Sequence, residues 1–157
     1  VDPQRIGIMG FSWGGVVTML SRSKAYLAAL SNGNSFAAHV AFYPVCWGYN
    51  KIPGYELVDV ATSPLLILTG EADDYDTPTS CIEWRGGLKP EDQTTVDIVV
   101  YPQAAHGFNT SAAPITVTDP FSHQGKGGKV VITSDPAARE LSNKAQLDFF
   151  LQHLKRP

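Results

Sequence analysis

Apolar positions along the chain gather into four short blocks separated by polar or glycine-rich stretches. Arg5–Gly10 (RIGIMG), Ala38–Tyr43 (AHVAFY), Pro64–Thr69 (PLLILT) and Thr95–Tyr101 (TVDIVVY) each read as a strand. The third block is apolar on both faces, the pattern of a parallel strand covered from both sides. The pattern predicts a helix over Gly14–Leu30, with Val16, Leu20, Leu27 and Leu30 on one stripe and Ser31-Asn32-Gly33-Asn34 as its stop. A second helix is expected over Thr77–Leu88, with Pro78 in its first turn. A last one opens at Asp135-Pro136, where Asp suits the N-cap and Pro the first helical position. In that last helix Leu147, Phe150, Leu151 and Leu154 follow the spacing of a core-facing side. The alternation breaks over 109–134, a stretch rich in Ser, Thr, Pro and Gly. Two β-like runs there, Ile115–Thr118 and Val130–Thr133, suggest a surface hairpin with a flexible tip at 124–128. Strands alternating with helices predict an α/β fold with a parallel sheet.

Composition narrows the class. At 157 residues the chain has the length of one domain, and 43% apolar residues suffice for a core. Lys plus Arg is 12 against 15 for Asp plus Glu, a net charge of −3, which argues against a nucleic-acid binder. No apolar run has the length of a membrane span. Two cysteines, Cys46 and Cys81, follow the second strand and begin the helix after the third. Those neighbouring ends allow either one disulfide or two buried thiols. A bridge would imply a periplasmic or secreted protein, and free thiols a cytoplasmic one.

Candidate chemistry starts at Gly10-Phe11-Ser12-Trp13-Gly14, a G-x-S-x-G set between a strand and a helix. A sharp strand-to-helix turn strains its middle residue, needs small flanks, and lifts a serine hydroxyl to the carboxyl end of the sheet. The following helix N-terminus favours a developing oxyanion, with the N–H of Trp13 as the expected donor. Gly15 would let the helix pack close to the strand. A dinucleotide-binding loop fits poorly: Ser12 would occupy the middle glycine position, and the second strand ends in Tyr43-Pro44 without an acidic residue for a ribose. A nucleophilic serine needs a base, and the base an orienting group. His106 lies just beyond the fourth strand, and Asp73 just beyond the third. The order Ser12, Asp73, His106 is the one that accompanies such an elbow.

The stretches GFSWGG at 10–15, AFYPVCW at 41–47, PLLILTGEADDYDTP at 64–78 and VVYPQAAHGF at 99–108 resemble the C-terminal portion of an α/β-hydrolase of the dienelactone hydrolase family. The resemblance implies an α/β-hydrolase-like parallel sheet with flanking helices. It also implies Ser12 as nucleophile, His106 as base and Asp73 as acid, with no metal or organic cofactor. The implied reaction is cleavage of a carboxylic ester or lactone through an acyl-enzyme. The namesake enzymes carry cysteine at the nucleophile position, so Ser12 points to an esterase-like relative rather than to dienelactone as substrate. The acid loop is one residue longer than in many relatives. Asp73 keeps the spacing from Gly70 and Asp74 the spacing to Pro78, and Asp73 is preferred.

A sheet of this kind has about eight strands, so the resemblance implies earlier strands before Val1, together with a second oxyanion N–H. On this reading 1–157 is the C-terminal part of one hydrolase domain, and its 5–10 strand offers an exposed apolar edge for association. Phe11, Tyr43, Trp47 and Tyr75 fall near the expected catalytic rim and are candidates for an apolar acyl pocket. The expected partner is a small-molecule ester or lactone, with neither nucleic acid nor membrane. The competing expectation is a non-catalytic hydrolase-fold piece that binds or assembles.

Overall fold

The computed structural model describes residues 2–155. Four parallel strands form the main sheet: β1 (Gly7–Phe11), β2 (Ala38–Phe42), β3 (Leu65–Gly70) and β4 (Val96–Tyr101), hydrogen-bonded in that order. Every connection therefore moves one place across the sheet, and all the carboxyl ends meet at one rim. β2 and β3 are buried at every residue, because they occupy the two central positions and are covered on both faces. β1 lies at an edge with Met9 and Phe11 partly exposed.

Alternation along the strands divides the core in two. Ala41, Leu65 and Ile67 face Val16 and Met19 of α1 (Trp13–Leu20) and Cys81 and Trp84 of α3 (Pro78–Gly86). Val40, Phe42, Leu66 and Leu68 point the other way, against Phe108 and the last helix, α5 (Pro136–His153). Each fully buried Leu or Ile side chain contributes about 1.5–3 kcal/mol relative to exposure. A short helix α4 (Pro90–Gln93) leads into β4.

Two helical expectations need correction. The predicted Gly14–Leu30 helix is two helices, α1 and α2 (Lys24–Leu30), broken at Ser21-Arg22-Ser23. The cause is Arg22, which is fully buried and turns inward, its Nη2 donating to the Ala61 carbonyl at 2.8 Å and to Thr95 Oγ1 at 2.6 Å. Ser23 then bridges to Val60, so the chain cannot continue along one axis. Val16 is core, Leu20 and Leu27 are half-buried, and Leu30 is exposed. In α5, Leu147 and Leu151 are exposed, whereas Ala138, Ser142, Ala145, Phe149, Phe150 and Leu154 face the sheet. Half of the expected stripe, Phe150 and Leu154, thus packs on the core, and the small residues next to Phe149 complete a face that apolar spacing alone did not fully indicate.

The 109–134 excursion is a hairpin of β5 (Ile115–Asp119) and β6 (Gly128–Ile132), antiparallel and separate from the main sheet. Its expected flexible tip is instead a docked turn at Ser122–Gly125, with His123, Gln124 and Gly125 at φ of 49°, 59° and 82°. The N–H groups of His123 and Gln124 donate to the carbonyls of Asp74 and Tyr75.

Candidate active site

Ser12 sits between β1 and α1 at φ 53°, ψ −119°, a conformation that side-chain-bearing residues adopt only under strain. Gly10 makes the turn possible: a Cβ there would lie 2.0 Å from the Gly14 carbonyl oxygen. Gly15 lets α1 approach β2, since its Cβ would meet the Phe42 oxygen at 2.8 Å, but Gly14 faces open space. Of the motif's two flanking glycines, only the first is sterically required. The Ser12 N–H donates to Phe42 O at 3.0 Å, pinning the elbow to the end of β2.

The loops after β3 and β4 continue the parallel pairing beyond the sheet. Glu71 N–H donates to Tyr101 O and Ala72 N–H to Ala104 O, both at 3.0 Å. This close approach needs Gly70, where a Cβ would lie 2.2 Å from Ala104 O. The loops therefore deliver Asp73 and His106 side by side. His106 Nδ1 lies 2.8 Å from Asp73 Oδ2, and its Nε2 lies 2.9 Å from Ser12 Oγ. His106 and Asp73 are buried and Ser12 is half-buried. Asp73 Oδ1 accepts the Tyr75 N–H, so both oxygens of the acid are occupied. Asp74 turns away and accepts the Val131 N–H from the hairpin.

Trp13 is the first residue of α1, so its N–H is among those the helix leaves unpaired, and its indole is largely exposed. Of the aromatic candidates, Tyr43 and Tyr75 flank the imidazole, with ring centroids 4.6 and 4.5 Å from it. Burial pushes both phenols up to about 12. Phe11 stacks on Phe42 with centroids 4.9 Å apart and stays partly exposed. Trp47 packs beneath the docked turn, where a Cβ on Gly125 would meet its ring at 2.8 Å. A cavity of about 600 Å³ lies elsewhere, among Ile6, Val17, Leu20, Tyr26, Leu27 and Phe36, and none of Ser12, Asp73 and His106 lines it.

Cys46 and Cys81 are joined by a disulfide, their Cα atoms 5.0 Å apart. Sequence reasoning overlooked Asp76 beside it. Its carboxylate accepts the N–H groups of Cys46 and Trp47 at 2.6 and 2.9 Å, and burial pushes its pKa above the usual carboxylate range. Cys46, Asp76 and Cys81 lie close enough together to suggest a metal site. The disulfide occupies both sulfurs, and the carboxylate holds backbone. Asn109 and Asp119, which accept the Tyr43 and Tyr75 hydroxyls, also went unrecognised, because nothing local in the sequence marks a loop residue as the partner of a distant phenol.

A parallel sheet with a strained serine elbow and with an aspartate and a histidine beyond successive strand ends is the fold of the α/β-hydrolases. Solved structures share it. A "Putative Dienelactone Hydrolase" from Klebsiella pneumoniae superimposes with a TM-score of 0.64 at 25% identity, covering 96% of this chain and 53% of that one. Thermogutta terrifontis esterase 2 phosphorylated by paraoxon gives 0.62 at 18% identity, covering 100% and 57%. The family model described as "Dienelactone hydrolase family" matches residues 1–154, and the chain belongs to that family. Among curated relatives, a "Putative carboxymethylenebutenolidase" of Escherichia coli K12 is 33% identical over 117 residues, covering 72% of this chain and 40% of the relative. One from Methylorubrum extorquens is 33% identical over 123 residues, covering 76% and 39%. The chain thus spans about two fifths of the length of these curated relatives.

Proposed function

We propose that this chain carries the nucleophile, base and acid of a serine hydrolase acting on carboxylic esters or lactones. The observation that carries the reading is the continuous path from Ser12 Oγ through His106 to Asp73, at 2.9 and 2.8 Å, built on a strained elbow. In the proposed reaction His106 Nε2 accepts the Ser12 proton as Oγ attacks the carbonyl carbon. Negative charge on the carbonyl oxygen is held by backbone N–H groups, with Trp13 supplying one. His106 then passes its proton to the leaving alcohol oxygen. Water, deprotonated by His106, releases the acid from the acyl-enzyme. Asp73 holds the imidazole in the tautomer that presents a bare Nε2 to the serine and stabilises the imidazolium that forms.

Cysteine marks the namesake enzymes, so the serine favours simple esters over dienelactone. The disulfide favours an oxidising compartment. Labelling with a fluorophosphonate, followed by peptide mass spectrometry, tests the reading. Ser12 is expected to carry the label. Ser12→Ala should abolish labelling and lower ester turnover by about 10⁴-fold or more. Labelling that survives Ser12→Ala would remove Ser12 as the nucleophile, and wild-type protein that takes no label would leave a non-catalytic binding role.

A further inference from the structure

His106 lies between two tyrosine rings, and both rings are tethered to the same segment of chain. Tyr43 donates its hydroxyl to Asn109 Oδ1 at 2.7 Å, and Tyr75 donates to Asp119 Oδ2 at 2.8 Å. Asn109 and Asp119 belong to the excursion that interrupts the strand–helix alternation. Tyr75 is the more closely connected of the two. Its N–H occupies Asp73 Oδ1, its ring lies against the imidazole, and its hydroxyl reaches the end of β5.

The hairpin grips the acid loop at further points. His123 N–H donates to Asp74 O at 2.7 Å, Gln124 N–H to Tyr75 O at 3.2 Å, and Val131 N–H to Asp74 Oδ2 at 3.0 Å. Gln124 Nε2 also reaches Asp76 Oδ1 and Ser80 Oγ, at 3.3 and 3.1 Å. The two N–H donors of the turn come from His123 and Gln124, which hold positive φ although neither is glycine. Backbone strain of this kind persists only where surrounding contacts fix it. Here those contacts run to the loop bearing Asp73.

We propose that Tyr75 is a positioning residue for the Asp73–His106 pair, and that the β5–β6 hairpin acts on the pair through the Tyr75–Asp119 hydrogen bond. The inference rests on the serine hydrolase reading for its effect on turnover, but not for the geometry it asserts. Tyr75 had been an acyl-pocket candidate, and the two roles separate kinetically. A pocket residue would change KM, whereas loosening the pair lowers kcat, because small displacements of a catalytic group are costly. The Tyr75 phenol is protonated and donating at ordinary pH, and burial only raises its pKa further.

The test compares wild type with Tyr75→Phe, Asp119→Ala, their combination and Asp119→Asn, using p-nitrophenyl acetate as substrate. Both single variants should lower kcat about tenfold with KM nearly unchanged. The combination should be no worse than Asp119→Ala alone, which removes the Tyr75 bond together with the Phe121 N–H bond to Oδ1. Asp119→Asn, which keeps an oxygen acceptor, should recover most of the rate. In parallel, NMR follows exchange of the His106 Nδ1 proton with water, assigned by its loss in His106→Gln. Exchange should quicken about tenfold in Tyr75→Phe, a variant that removes one oxygen and leaves the other hairpin contacts in place. Unchanged kcat together with unchanged proton exchange in Tyr75→Phe would overturn the proposal, as would independent, multiplicative losses in the combined variant. Wild-type protein that neither turns over ester nor labels at Ser12 would overturn the hydrolase reading instead. The exchange measurement would then still decide the positioning role.

Discussion

At the scale of single residues, the elbow shows how unequal two similar letters can be. Gly10 and Gly14 flank Ser12 symmetrically in the sequence, yet a Cβ on Gly10 would overlap the Gly14 carbonyl at 2.0 Å while one on Gly14 meets nothing within 4 Å. Backbone is the obstructing partner at Gly10, so no rotamer change relieves the clash. Gly10→Ala is therefore expected to destroy the turn, costing several kcal/mol and eliminating fluorophosphonate labelling. Gly14→Ala lies in the first turn of α1 and should be neutral or stabilising by up to about 1 kcal/mol. Urea denaturation of the two variants checks the pair, and equal losses would refute the steric account. The same scale explains why the convergence of Ser12, Asp73 and His106 was legible from sequence and its surroundings were not. Ser12, Asp73 and His106 each follow a strand, and a parallel sheet brings strand ends to one rim whatever the loops do. Asn109 arrives with the His106 loop, three residues further on, whereas Asp119 reaches the site only because the hairpin folds back onto it, and no spacing along the chain encodes that return.

At the scale of elements, the strands were read almost to the residue, most plainly β2 and β3, where burial on both faces leaves continuous apolar blocks. Helices were harder. Arg22 looks like a surface residue within an amphipathic run, yet it is buried where the helix breaks, its Nη2 donating to the carbonyl of Ala61 and the hydroxyl of Thr95. The cysteines left two readings open, and the element they join decides between them. The bridge ties the segment after β2 to α3, across the loop that carries the acid, and is buried against Met19. It closes a loop with a sequence separation of 35, for which constraint of the unfolded chain contributes about 2–4 kcal/mol. Reduction should accordingly lower Tm by roughly 5–15 °C, read by thermal unfolding with and without reductant. A Tm that does not move, once mass spectrometry shows both thiols reduced, would show that packing around Met19 and Trp84 supplies the stability unaided.

At the scale of the whole molecule, the two ends of the sheet hold opposite kinds of histidine. His106 stands at the carboxyl rim with hydrogen bonds to Asp73 and Ser12. His39, near the amino end of β2, is buried with neither ring nitrogen hydrogen-bonded among the described residues. Burial, reinforced by the neighbouring charge of Arg22, depresses its pKa to about 4. Below the ordinary histidine pKa of about 6.5, the unfolded chain takes up a proton that the folded chain refuses, so protons drive unfolding. The stabilisation is complete above that value and is lost as pH falls towards the folded pKa of about 4. Asp76 works in the other direction, since burial raises its folded pKa and favours the fold on acidification. A net acid weakening therefore has to come from His39 or from other groups, and substitution separates them. Between pH 7 and 4.5 the His39 contribution amounts to about 2–3 kcal/mol. Unfolding free energies from urea titrations at the two pH values should fall by about 2–3 kcal/mol less in His39→Gln than in wild type. An identical pH dependence in the variant would place the acid sensitivity elsewhere and leave His39 as inert core.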